Sequence, residues 1–333
     1  MRLWLVRLSV VVLTMVGLQA PLSSITLAKS SVALDRQLTL QAAPIAFGVT
    51  HPDVPWDPTQ IDALADLLGR MPAIIAWYQA WGASSSALDL ALLEAVRSRG
   101  AVPLITWEPW GGSTSFPLTA IARGDFDAYI DTWAVGLAEY GAPVYLRFAH
   151  EMNGSWYPWS VGVNGNSVED YVAAWRHVHD RFAAAGASNV SWIWAPIAGP
   201  SAGVVATYPG DAYVDWVGLD GFNYGTTKPD SSWTSFASIF ASSYGAVQTL
   251  TDKPIMIAET GSTEEGGDKV AWVKDAFATQ LPYQFPDVRA VIWFNRDKET
   301  DWRVDSSVAS LAAFREVLAN PYLQGTLLQS PAF

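Results

Sequence analysis

From residue 45 onward the chain alternates between two kinds of pattern. Short runs rich in apolar, β-branched and aromatic residues read as strands buried on both faces. They fall at Ile45–Val49, Ala73–Tyr78, Val102–Trp107, Val144–His150, Val190–Ala195, Val214–Leu219, Pro254–Glu259 and Val288–Trp293. Helix-like stretches separate them at Ile61–Leu68, Leu88–Ser98, Phe126–Tyr140, Val168–Ala185, Trp233–Leu250, Lys269–Thr279 and Val308–Leu318. Only the connection after the fifth strand shows no clear pattern. Glycine and proline mark several helix-to-strand boundaries, as in "SRGAVPL", "EYGAPVYL" and "LTDKPIMI".

Eight such beats over about 290 residues predict an α/β fold of one kind, a single (β/α)8 TIM barrel over residues 45–333. An open doubly wound sheet is the alternative. It would place a phosphate-cradling glycine loop after an early strand, whereas the first strand runs into "THPDVPWDP". No linker or low-complexity tract divides the region.

The N-terminus has a different character. Arg2 and Arg7 precede the apolar run Leu8–Leu18, which is too short to span a bilayer, and small residues follow, with cleavage options after Ala28 or Ala33. Residues 1–33 therefore read as a secretory signal, with an uncleaved anchor as the alternative, and 34–44 as a flexible lead-in. The expected location is extracellular or periplasmic. No later segment is long and apolar enough for a membrane, so the mature form is expected to be membrane-free.

Composition narrows the partner. Removing residues 1–33 takes away Arg2, Arg7 and Lys29 and no acid, which moves the net charge from −12 to about −15. So acidic a surface disfavours nucleic acid and anionic membrane and favours a neutral ligand. With no cysteine, thiol chemistry and cysteine-based zinc sites are excluded. A monomer is expected. The chain carries 17 Trp and 12 Tyr against 16% charged residues, and indole faces suit the apolar faces of sugar rings.

In a barrel of this kind chemistry sits at the C-terminal ends of the strands, where the unusual residues collect. Strand two ends in Trp77, Tyr78 and Trp81, and strand three in Trp107, Glu108 and Trp110. Strand four delivers His150, Glu151, Asn153 and Trp156, and strand six Asp220, Asn223 and Tyr224. Strand seven gives Glu259, and strand eight Trp293 and Asn295. Two carboxylates brought by different strands into an aromatic, sparsely charged mouth suit glycoside hydrolysis, in which one acid protonates the leaving oxygen while the other attacks or directs water. Glu151 and Glu259 are the best pair. Each ends an apolar strand and continues into a glycine-containing loop, "EMNG" or "ETGS".

The aromatic surroundings of Glu151 are expected to raise its pKa, whereas Glu259 needs a hydrogen-bond donor to stay ionised, for which Tyr224 is the candidate. Glu108 and Asp220 rank as substrate hydrogen-bonders or as partners that tune the pair. Trp77, Trp107, Trp110, Trp156, Trp159 and Trp293 are candidate sugar platforms. Trp133, Trp175, Trp192 and Trp272 are expected in the core. "HEMNG" lacks the second histidine of a zinc-protease helix, because Gly154 occupies its place. His177 and His179 lie two apart on a helix, point away from each other, and read as surface residues. No serine nucleophile elbow is present.

At these residues the chain resembles glycoside hydrolase family 26, within the retaining (β/α)8 glycosidases. "RFAHEMNGSWYPW" resembles that family's acid/base segment, which implies Glu151 as general acid/base with His150 as its companion. "YPGDAYVDWVGLDGFNY" resembles the sixth-strand segment and implies that Tyr224 supports the nucleophile. "KPIMIAETGS" resembles the nucleophile strand and implies Glu259 in that role. Trp156 matches a rim aromatic and Trp293 a strand-eight platform. The likeness runs from about residue 45 to 320.

The resemblance implies double displacement on a β-linked polysaccharide without metal or organic cofactor: β-mannan, mixed-linkage β-1,3-1,4-glucan or β-1,3-xylan. "ITWEPWGG" departs from the mannanase pattern, with Glu108 where mannanases usually carry histidine, and "VIWFNRDKETDWRVDSS" is nearer the mixed-linkage glucanase branch. A carbohydrate-binding protein on a catalytically silent barrel and a transglycosylase on the same site are the alternative functions.

Overall fold

The computed structural model describes residues 43–82, 86–112 and 116–326. The expected secretory signal and most of the lead-in lie outside the described residues. Eight parallel strands close into a barrel in chain order, each paired with the next and the eighth with the first. They are β1 (Ala46–Thr50), β2 (Ile74–Ala80), β3 (Val102–Glu108), β4 (Val144–Phe148), β5 (Val190–Trp194), β6 (Trp216–Asn223), β7 (Ile255–Ser262) and β8 (Val288–Phe294).

Strand side chains alternate between two faces. One set fills the barrel, with Ile74, Leu104, Tyr145, Ile193, Trp216 and Met256 among its members. The other packs outward beneath the helices in a separate, larger core. Two glycines make the filled interior possible. A Cβ at Gly48 would stand 2.5 Å from Ile292 Cδ1, and one at Gly218 would stand 2.7 Å from Ala195 Cβ. Neighbouring strands fill the space left at each: Ile292 and Ile74 at Gly48, Ala195, Ala258 and Ile193 at Gly218, as close packing requires. Trp216, also inside the barrel, meets Tyr145 edge to face at 5.7 Å.

The helices follow the expected beats at Thr59–Leu68, Leu90–Arg97, Asp127–Tyr140, Val168–Ala184, Phe236–Leu250, Lys269–Asp275 and Val308–Leu318. Their starts are chemically marked. Ser167 and Asp170 cap each other reciprocally, and Asp89, Asp268 and Ser307 each accept a first-turn N–H. The unpatterned link after β5 holds only the short helix Ser201–Val205 and a 3₁₀ turn at Asp211–Tyr213. A short helix at Leu118–Arg123, between Pro117 and the left-handed Gly124, was not anticipated, since six residues carry too little periodicity to register. The expected helix from Lys269 changes to a π turn at Ala276–Gln280, where Gln280 Oε1 accepts the Ala237 N–H at 2.5 Å.

Strand ends shift where they matter for the site. β4 stops at Phe148, two residues before His150, because Ala149 turns to φ 44°. β6 and β7 run on to Asn223 and Ser262, with register irregularities around Asp220 and Glu259. Such irregularities re-aim side chains at a barrel rim.

Candidate active site

The segment after β4 is held in an unusual backbone path. Ala149 and Glu151 adopt φ 44° and 52°, in the left-handed region that residues with a Cβ avoid. Conformations of this kind persist only where the surroundings over-determine them. The surroundings do so here. Tyr171 Oη donates to the Ala149 carbonyl at 3.3 Å, Trp159 Nε1 to the His150 carbonyl at 2.7 Å, and the Glu151 N–H to the Ala195 carbonyl at 2.7 Å. Asn153 makes a reciprocal pair with the backbone of Ile197, both bonds 2.9 Å. Glu151 and His150 thereby turn into the barrel mouth, both buried.

Aromatic side chains then wall the acid. Trp156 Nε1 donates to Glu151 Oε2 at 2.7 Å, and its ring folds over Gly154, where a Cβ would stand 2.5 Å away. Only glycine leaves room for that indole. Tyr157 and Trp159 stack at 4.3 Å with 8° between planes, and Tyr157 Oη lies 3.2 Å from His150 Nε2. Trp110 meets both rings edge to face at 5.6 and 6.0 Å.

Opposite this wall, Arg147 organises the floor. It is 1% exposed, on the inward face of β4. Nη1 donates to both carboxylate oxygens of Asp220 at 3.0 and 2.9 Å, and Nε and Nη2 reach Thr106 Oγ1 at 2.9 and 2.7 Å. Nη2 also bonds Glu259 Oε1, the same oxygen that accepts the Tyr78 hydroxyl. A buried guanidinium needs such pairing to offset its desolvation. His150, Asp220 and Glu259 place ligand-type atoms within 4.8 Å of one another. The Arg147 charge already bridges the two carboxylates of that trio and would repel a metal cation there.

The electrostatics separate the two acids. Burial, reinforced by the charge of Glu259, pushes Glu151 up to about 7, against a weaker opposing pull from the Trp156 hydrogen bond. Burial also raises Glu108 to about 7. Burial holds His150 well below the usual imidazole range, helped by Arg147, so the ring is neutral. Tyr78 is raised by burial and by Glu259 and stays a phenol donor. Burial works against the Arg147 charge, but Asp220 and Glu259 outweigh it and keep the guanidinium protonated. Glu151 thus sits where a carboxyl keeps its proton, whereas two donors meet on one oxygen of Glu259.

The mouth gathers Glu151, Glu259, Glu108, His150, Asp220, Trp110 and Trp156, with Tyr224 within the field of both Glu151 and Glu259. Six expectations are corrected. Trp77, Trp107 and Trp293 are not sugar platforms: each is buried on the outward face of its strand. Trp107 packs on Trp133 at 5.0 Å and Trp293 on Phe314 at 4.5 Å. Asn223 is buried and spends its amide on Ser262, Gly225 and Thr234, so it braces the β6 loop.

The fifth concerns Tyr224, which makes no hydrogen bond to Glu259. Its ring faces Trp302 at 5.1 Å and carries the Lys228 ammonium 3.3 Å from its centroid. The donors to Glu259 are Tyr78 and Arg147, whose roles sequence reasoning missed. The sixth concerns Trp159, which is buried in the wall against Tyr157 and is not a sugar platform, while Asn295 accepts the Val304 N–H at 2.7 Å. Trp133, Trp175, Trp192 and Trp272 are in the core. His177 pairs with Asp127 at 2.6 Å on the half-exposed helix surface, while His179 meets Trp192 and Tyr213.

A closed (β/α)8 barrel with buried carboxyls and an indole wall at its C-terminal mouth suits glycoside hydrolysis. The sequence profile of glycosyl hydrolase family 26 matches residues 121–279. The chain is 39% identical over 264 residues to endoglucanase H of Acetivibrio thermocellus, covering 78% of this chain and 29% of that protein. It is 37% identical over 127 residues to a β-1,3-xylanase of a Vibrio species, covering 37% of this chain and 25% of that one. The chain therefore spans between a quarter and a third of the length of these two curated relatives. Among solved structures, a Cellulomonas fimi endo-β-1,4-mannanase double mutant shares the fold with TM-score 0.66 and 22% identity, over 91% of this chain and 76% of that one. The family 26 match over residues 121–279 takes in both Glu151 and Glu259.

Proposed function

We propose that this chain is a secreted, retaining endo-β-glycanase that cuts internal bonds of a β-linked polysaccharide by double displacement. The observation that carries the reading is the pair of buried carboxyls with opposite environments. Burial favours a proton on Glu151, while Arg147 and Tyr78 both donate to one oxygen of Glu259. In the first step Glu259 attacks the anomeric carbon as Glu151 gives its proton to the leaving oxygen. In the second, ionised Glu151 takes a proton from water, which attacks the same carbon and releases Glu259. His150 and the Trp110–Trp156 wall bind and orient the sugar units. Export rests on the sequence of residues 1–33 alone.

Mixed-linkage β-1,3-1,4-glucan is the first substrate to expect and β-mannan the second. Glu108 in "ITWEPWGG" and the endoglucanase name of the relative that covers most of this chain both favour glucan. Reducing-end release across mixed-linkage glucan, glucomannan, mannan and β-1,3-xylan tests the substrate, and NMR of the first-formed anomer tests the stereochemistry. Glu259→Gln and Glu151→Gln are each expected to remove most turnover. Near-normal activity of Glu259→Gln, or an inverted first product, would overturn the assignment.

A further inference from the structure

Double displacement employs two carboxyls, and the barrel mouth buries two more: Asp220, which is spent on Arg147, and Glu108. Glu108 ends β3 on the inward face shared by Leu104 and Thr106, and is 5% exposed. Its Oε2 accepts Trp110 Nε1 at 3.0 Å, and among the described residues none donates to Oε1. The charges of Arg147, Glu259 and Lys298 all act on this carboxyl, so it lies within electrostatic reach of the proposed nucleophile. Burying an acid with an unpaired oxygen costs stability. The loop course does not depend on the carboxyl, because the Glu108 carbonyl itself accepts the N–H groups of Trp81 and Trp110 at 2.9 and 2.8 Å.

Trp110 supplies the other half of the arrangement. Its indole is 40% exposed, yet its orientation is fixed by Glu108 at one edge and by the perpendicular rings of Tyr157 and Trp159. A pyranose laid on such a face directs its hydroxyl rim sideways, toward whatever polar group lies next to the ring. Here that group is a carboxyl oxygen without a partner among the described residues.

We propose that Glu108 is the specificity-determining residue of this site: its free oxygen binds hydroxyls of the sugar unit seated against Trp110, and that contact sets the preference between gluco- and manno-configured β-glycans. The inference rests on the glycanase reading above. Turning one hydroxyl from equatorial to axial takes it out of line with a fixed acceptor and leaves both groups unpaired. Sites built to hydrogen-bond a hydroxyl discriminate strongly for that reason.

The test measures kcat and KM separately for wild type, Glu108→Gln and Glu108→Ala on mixed-linkage glucan and on β-mannan. On the preferred polymer, kcat/KM is expected to fall about 10- to 100-fold in Glu108→Ala, mainly through KM. Glu108→Gln, which keeps an acceptor oxygen, falls between, and the ratio of kcat/KM between the polymers moves toward one. If Glu108→Ala does not fold, as thermal melting would show, Glu108→Gln carries the comparison. An equal loss on both polymers with the ratio unchanged would overturn the proposal, as would loss of the alkaline limb of kcat in Glu108→Gln, which would make Glu108 the proton donor. A wild-type protein that releases no reducing ends from any polysaccharide is a different outcome: it overturns the glycanase reading, and the Glu108 proposal with it.

Discussion

Replacing Glu151 by glutamine is expected to stabilise the fold in alkaline solution while leaving it nearly unchanged in acid. In the folded chain burial and Glu259 lift this carboxyl from 4.5 to about 7. Between those two values the native state holds a proton that the unfolded chain has released, so wild-type stability falls as pH rises through that window. The gap is worth about 3 kcal/mol, at about 1.4 kcal/mol per tenfold change in the proton equilibrium. Glutamine has the same shape, can accept from Trp156 Nε1, and cannot ionise. Urea unfolding of both proteins at about pH 4 and pH 8.5 reads the difference. The variant's advantage is expected to grow from near zero to about 3 kcal/mol, or roughly 5 °C in Tm for a barrel of this size. An advantage of equal size at both pH values, or a less stable variant at the higher one, would refute the placement of Glu151 as a proton-holding group.

Three further outcomes follow from the same geometry. In the proposed mechanism Glu151 carries its proton into the first step, so kcat/KM for polysaccharide hydrolysis is expected to decline above about pH 7, and a pH–rate profile flat to pH 9 would contradict that. Arg147→Met leaves Asp220 and Glu259 buried without their shared counter-charge, so denaturant unfolding is expected to show a loss of about 3–5 kcal/mol. Ala149→Gly removes a Cβ from a left-handed residue, and thermal melting is expected to show no destabilisation and a gain of up to about 1 kcal/mol, against the usual cost of adding glycine.

The barrel was legible because two periods alternate eight times along the chain, a signal that needs no long-range information. The aromatic platforms were less so, and the reason lies within single strands. Trp77, Trp107 and Trp293 each stand next to an inward-facing neighbour: Tyr78, Glu108 and Phe294 respectively. Strand parity therefore sends the tryptophans outward, beneath the helices, although all three lie at strand ends. Counting faces as well as ends would have made that distinction. The partners of Glu259 were beyond any local reading. Tyr78 lies 181 residues away and Arg147 112, and only closure of the barrel brings them to one oxygen. Tyr224 was the nearer guess in sequence, and its ring instead turned toward Trp302.

Arg147 joins β3, β4, β6 and β7 through Thr106, Asp220 and Glu259. The group proposed to do the chemistry is thus also one of the struts across the mouth. Reactivity and assembly cannot drift apart freely in such a barrel: a lineage that discarded the nucleophile would keep the Arg147–Asp220 pair but leave the buried Tyr78 hydroxyl without its acceptor. A changed Tyr78 beside an intact Arg147 and Asp220 is the mark by which a retired barrel could be told from a working one.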